Sequence, residues 1–206
     1  KYFHDVLKGH IDRIGIHKNN HYDNSLYFSI LYILYKDYCL LDNKDQNYII
    51  KILKTKIKDD LLTRKFKLPR DLVKKKVIYK LKQDANNYLD AYILAIFLNI
   101  NIYVFSYTDN KIYAFYSENE LNTYKKNIFI NEIDNIFYPL TYKLDNGRYF
   151  KYNSTILNNV IFSDYIYSYN FKNNKILELS NNWENILQNH LNIDTSNIVI
   201  DLDSNI

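Results

Sequence analysis

The sequence predicts an α+β domain, with helices first and a mostly antiparallel sheet after them. Three observations carry this. Up to residue 98, apolar residues recur at helical spacing. Beyond residue 100 they gather into short runs rich in β-branched and aromatic residues, broken by Asp-Asn turns. A chain of 206 residues, 47% apolar and 17% aromatic, is long enough for one core and is read as a single domain over 1–206.

The first helix is placed at 24–38, where Leu26, Ser29, Ile30, Ile33 and Leu34 share a face and Asp23 or Asn24 can cap. The second spans 45–62, with Tyr48, Ile49, Ile52, Leu53 and Ile57 expected on its buried face and lysines outside. Pro69 permits a third start, and 70–82 carries Leu72, Val73, Val77 and Leu81 at helical spacing. Residues 87–98 are apolar nearly all round and predict a buried helix. Strands follow at 100–106, 111–116, 127–133 and 136–143, with further strand-like runs at 149–150, 159–162, 165–171 and 175–178. An amphipathic helix over 181–191, burying Trp183, Ile186, Leu187 and Leu191, is expected near the end of the chain.

Composition excludes several classes. A net charge of +4 is too mild to argue for nucleic acid. The lone Cys39 rules out an intrachain disulfide, which suits a reducing, intracellular compartment, and cytoplasm is expected. No apolar run reaches the roughly 20 residues that span a bilayer, and no signal segment is visible. The chain starts at Lys1 and has no methionine, so it is read as a piece of a longer polypeptide. The bias toward Asn, Lys, Ile and Tyr, with 22 tyrosines, points to an AT-rich genome.

The most informative segment is Asp23-Asn24-Ser25-Leu26-Tyr27-Phe28-Ser29-Ile30. A thiol at a helix start gains acidity from the exposed N–H groups and the helix dipole, which is how cysteine proteases make their nucleophile. A serine there stays neutral near pH 7 and needs a base. Two further blocks accompany this segment: Asp90 to Phe105, and Ile128-Phe129-Ile130 through Asn135-Ile136-Phe137-Tyr138-Pro139-Leu140. In order and spacing the three resemble the OTU (ovarian tumour) family, papain-like cysteine proteases best known as deubiquitinases. The likeness covers about 17–143 and leaves 144–206 as a C-terminal extension of the same domain.

What the resemblance implies for the site is a set of departures. The family's nucleophile falls on Ser25, its histidine on Phe137, and the aspartate opening its nucleophile block on Tyr22. Asp23 stands where glycine belongs, and Asp23 and Asn24 take the place of the oxyanion turn. Pro139 occupies the position that orients the histidine in some members. Phenylalanine can neither accept nor donate a proton. The resemblance therefore implies a catalytically degenerate domain: a binding or structural module within a larger effector, toxin or viral protein. Two alternatives stand beside it. One is an active deubiquitinase whose nucleophile has been replaced by Ser25; the other is an assembly protein of a viral particle.

Other clusters have blander readings. His4, His10, His17 and His21 gather near the start, but the loop signals Gly15 and Asn19-Asn20 weigh against a metal site, and no metal or cofactor is expected. A triad of Ser25, His21 and Asp23 is disfavoured because a base normally comes from a distant segment. Cys39 reads as a small core residue. Arg64, Lys65, Lys67, Arg70, Lys74, Lys75, Lys76, Lys80 and Lys82 form a basic stretch, of which Arg64, Lys65, Arg70 and Lys74 to Lys76 are a candidate patch for an acidic protein. Such a patch would repel the basic rim of ubiquitin's usual face. A protein partner is expected, ubiquitin or an acidic protein; nucleic acid and membrane are not.

Overall fold

The computed structural model describes residues 11–13, 22–68, 72–83, 87–117, 124–142, 166–170 and 175–178. Within them lie four α-helices and one seven-stranded sheet, an α+β fold. The expected strands at 149–150 and 159–162, the helix over 181–191 and the Pro69 start fall outside the described residues.

Helix α1 (Ser25–Leu34) is shorter than its periodicity suggested, because the chain turns extended at Tyr35 and tightens into a 3-10 turn over Lys36–Leu40. Eight of its ten residues are buried, so it runs through the core. Helix α2 (Asn43–Leu62) begins at Asp42, whose side chain accepts a hydrogen bond from the Asp45 N–H at 2.8 Å. Its inward face is Gln46, Ile50, Lys54, Ile57 and Leu61. That corrects the expected face, since Tyr48 is 63% and Ile52 49% exposed. Helix α3 (Lys74–Leu81) starts later than the pattern suggested and buries Val77, Lys80 and Leu81, while Val73 stays exposed. Helix α4 (Tyr88–Leu98) opens with a capping box. The Asn87 side chain accepts from the Asp90 N–H, and the Asp90 carboxylate accepts from the Asn87 N–H. It closes at Asn99 in the left-handed region, φ 54°.

The strands are β1 (Ile11–Arg13), β2 (Asn101–Ser106), β3 (Lys111–Phe115), β4 (Asn127–Ile133), β5 (Ile136–Tyr142), β6 (Ile166–Asn170) and β7 (Lys175–Glu178). Their order is β1-β5-β4-β2-β3-β6-β7. Pairing is antiparallel except between β2 and β4 and between β3 and β6. Asp134 and Asn135 join β4 to β5 with φ of 53° and 62°, the two positive values a tight two-residue hairpin needs. Ile102, Val104, Ile128, Ile130, Tyr113, Phe115 and Phe137 meet the helices in one core. Alternate residues Tyr103, Phe105 and Phe129 form an edge-to-face aromatic cluster. All six residues of β2 are buried, which explains its nearly continuous apolar sequence.

Candidate functional site

Helix α1 lies against β5, and the contact is made by two serines one helical turn apart. The Phe137 backbone N–H donates to Ser25 Oγ at 3.0 Å. Ser29 Oγ donates to the Phe137 carbonyl at 2.9 Å. Phe137 faces Glu132 of β4 in the ladder, yet both of its backbone groups bond to α1. They therefore point away from β4, toward the side of β5 that pairs with β1 at Leu140–Tyr142. Ser25 and Ser29 supply what a neighbouring strand would otherwise supply. Pro139, two residues on and so of the same orientation, has no N–H that would need an acceptor on that side.

Ser25 is 0% exposed and Phe137 2%. The hydroxyl thus lies in the interior and accepts a hydrogen bond from a backbone amide. The Phe137 ring packs at 6.4 Å, nearly perpendicular, against Tyr88 at the start of α4. Tyr88 also touches Tyr113 and Phe115, and its hydroxyl donates to Glu132 Oε2 at 3.4 Å. Burial raises the Tyr88 phenol well above its ordinary value; a hydrogen bond with Ser106 offsets part of this, and Glu132 and Asp109 add to the rise. This ring stays protonated across the usable pH range.

On the other side of α1 lies a polar network that sequence reasoning missed. Lys54, buried on α2, donates to Asn24 Oδ1 at 2.7 Å and to the Gln83 carbonyl at 2.9 Å. Its ammonium sits 4.8 Å from the centre of the Tyr27 ring. Tyr27 donates its hydroxyl to Asp90 Oδ1 at 2.9 Å, and Lys80 pairs with Asp90 Oδ2 at 3.4 Å. Burial pushes the Asp90 carboxyl above its ordinary 3.8; Lys80 and the bonds from Tyr27 and Asn87 offset that only in part. Burial, then the Asp90 charge, raises the Tyr27 phenol. The network pins the turn before α1 to α2, and α1 itself to α3 and α4. Its one legible signal was Asp90 three residues after Asn87, a capping pattern.

The structure brings Ser25 and Phe137 together, which their separation of 112 residues does not require. Asn24 stands at the head of α1 but makes no side-chain cap, because Lys54 holds its Oδ1. Asp23 is exposed beside it, and Tyr22 begins the 3-10 turn Tyr22–Asn24. Arg64, Lys65, Lys74, Lys75 and Lys76 are exposed, and Arg70 falls outside the described residues. Lys80, counted in the basic stretch but not in the candidate patch, is buried and pairs with Asp90. Cys39 is half-buried in the 3-10 turn rather than in the core. All the histidines lie outside the described residues, so the His21 triad and the histidine metal site do too. Among the described residues no group of three or more metal-ligating side chains occurs, and no helix is long and apolar enough to cross a membrane.

No protein-family model matches the chain, and no curated protein matches it. Among solved structures it is similar to an ovarian tumor (OTU) domain in complex with ubiquitin, at a TM-score of 0.48 and 16% identity. The match covers 73% of this chain and 80% of that one.

Proposed function

We propose that this chain is a catalytically degenerate OTU-like domain that acts as a binding or structural module, with ubiquitin or an acidic protein as partner. The observation that carries the reading is the hydrogen bond from the Phe137 N–H to Ser25 Oγ. Attack by a hydroxyl needs a base to take its proton and space for a carbonyl carbon at the oxygen. Ser25 Oγ is enclosed, and the segment bonded to it presents an aromatic ring where the resembled family presents an imidazole. The oxygen serves a strand edge instead. Asp23, Asn24 and Tyr22 then keep the shape of a nucleophile turn without its chemistry. The half of the fold that would support an active centre is used for packing, through Tyr88 and the Lys54 network.

Two measurements on the same protein test this. Incubation with a panel of diubiquitin linkages is expected to give no monoubiquitin, and time-dependent cleavage would overturn the reading. Titration of the isotope-labelled chain with monoubiquitin and diubiquitin tests the binding half. Saturable shifts are expected if ubiquitin is the partner, and silence at high micromolar concentration removes ubiquitin and leaves the acidic partner.

A further inference from the structure

Exposed basic residues gather in sequence on α3 and just past the end of α2. The bond from Lys54 to the Gln83 carbonyl ties the middle of α2 to the residue just past the C-cap of α3. Arg64 and Lys65 follow the end of α2, and Lys74, Lys75 and Lys76 open α3. All five are exposed, as is Lys82 at the far end of α3. None has an ion-pair partner among the described residues. Elsewhere on the same helices lysines do pair: Lys56 with Asp60, Lys58 with Asp59, and Lys80 with Asp90.

Two features separate this face from an ordinary solvated one. Three lysines occupy the first turn of α3, where the helix dipole disfavours cations, and no side chain caps that end. The arrangement works against the helix, so local stability does not account for it. An exposed aromatic also sits among the charges. Tyr79 is 66% exposed, with Lys75, Lys76 and Lys82 at the neighbouring helical positions. A tyrosine within a ring of cations is a contact surface for a partner that brings both negative charge and apolar side chains.

We propose that the exposed face of α3 docks an acidic protein segment in which carboxylates alternate with apolar residues. Carboxylates meet Lys75, Lys76 and Lys82, and an apolar side chain packs on Tyr79. Charge complementarity selects this occupant. The face is an eight-residue helix, about 12 Å long at 1.5 Å per residue. It covers only a short stretch of phosphates, and the chain as a whole carries only +4. The inference stands on this surface alone and does not depend on the reading of Ser25.

The test is fluorescence anisotropy with a labelled peptide of Glu-Glu-Leu repeats, run beside a labelled oligouridylate at the same salt. The intact chain is expected to bind the peptide saturably, with affinity falling as salt rises. The double variant Lys75→Glu, Lys76→Glu should weaken it by about tenfold or more, and Tyr79→Ala by several-fold. Lys51→Glu, the same kind of change on an exposed position of α2, should leave it near the intact value. The double glutamate variant should melt no lower than the intact chain, because acidic side chains suit the first turn of a helix, and Tyr79→Ala and Lys51→Glu should melt near it. The proposal is overturned by absence of peptide binding, by an equal loss in Lys51→Glu, or by oligouridylate binding more tightly with the same sensitivity to Lys75 and Lys76. Failure of ubiquitin to bind leaves this outcome untouched, so the two readings fail separately.

Discussion

Replacing Ser25 by alanine separates a structural hydroxyl from a catalytic one. The substitution removes the acceptor of the Phe137 N–H, a buried donor whose orientation away from β4 leaves it no ladder partner. An unsatisfied buried amide costs roughly 1–3 kcal/mol. For a chain of this size each kcal/mol moves the melting temperature by about 2–4 °C, so Ser25→Ala should melt about 2–12 °C lower. Ser29→Ala strands the Phe137 carbonyl instead. It should cost less, about 1 kcal/mol, because an acceptor with two lone pairs is more easily satisfied. Both serines hold one residue of β5, so the double variant should lose less than the sum of the two, by about 0.5 kcal/mol or more. Chemical denaturation reads the free energies, and hydrogen exchange at the Phe137 amide reads the local effect, which should accelerate in Ser25→Ala. A catalytic serine behaves in the opposite way, because active sites are kept at a cost in stability. An unchanged or raised melting temperature with unchanged Phe137 exchange refutes the strand-edge role.

Further expectations rest on other parts of the structure. Tyr27→Phe deletes a hydrogen bond to a buried carboxylate and should cost about 1.5–3 kcal/mol in urea unfolding; a loss near zero would mean the network does not hold α1. The Asp90 carboxyl should titrate above 3.8 by carbon NMR, and a midpoint at or below 3.8 contradicts its burial. The sign follows from linkage. A raised carboxyl binds its proton more tightly in the folded state, so Asp90 favours folding below 3.8 and loses that contribution as pH rises through its folded value. Ile50→Ala should cost about 2–5 kcal/mol while Ile52→Ala stays within about 0.5 kcal/mol; equal costs would mean that α2 is rotated.

Helix α4 and strands β2, β4 and β5 were legible because local pattern and tertiary demand agree there. An Asn-capped apolar run becomes a buried helix, and Asp134-Asn135 between β-rich runs becomes a tight hairpin. The face of α2 was misread because two of its inward positions are polar. Gln46 bonds the Tyr38 carbonyl, and Lys54 reaches Asn24 and Gln83, contacts that no local window contains. Tyr48 and Ile52, apolar and outward, then drew the expected face to the wrong side. Lys80 was assigned to the surface for the same reason, since its partner Asp90 belongs to the next helix. Parallel pairing of β2 with β4 and of β3 with β6 depends on crossovers, which strand composition does not encode. At the candidate site Ser25 and Phe137 were singled out by the family resemblance, which sets them at the nucleophile and histidine positions. Their contact runs through the backbone amide of Phe137, a group every non-proline residue carries, so side-chain reasoning could not foresee it.

The most direct test of the central claim, that the Ser25 position is an enclosed structural contact and not a reactive centre, is covalent labelling. Ser25→Cys in a Cys39→Ser background leaves one thiol, at position 25. The account predicts that a ubiquitin probe with a thiol-reactive C-terminus gives no adduct by intact mass. It also predicts that a small thiol reagent modifies position 25 only once the chain is unfolded. A ubiquitin adduct at position 25 on the folded protein would contradict both the enclosure of this site and its loss of chemistry.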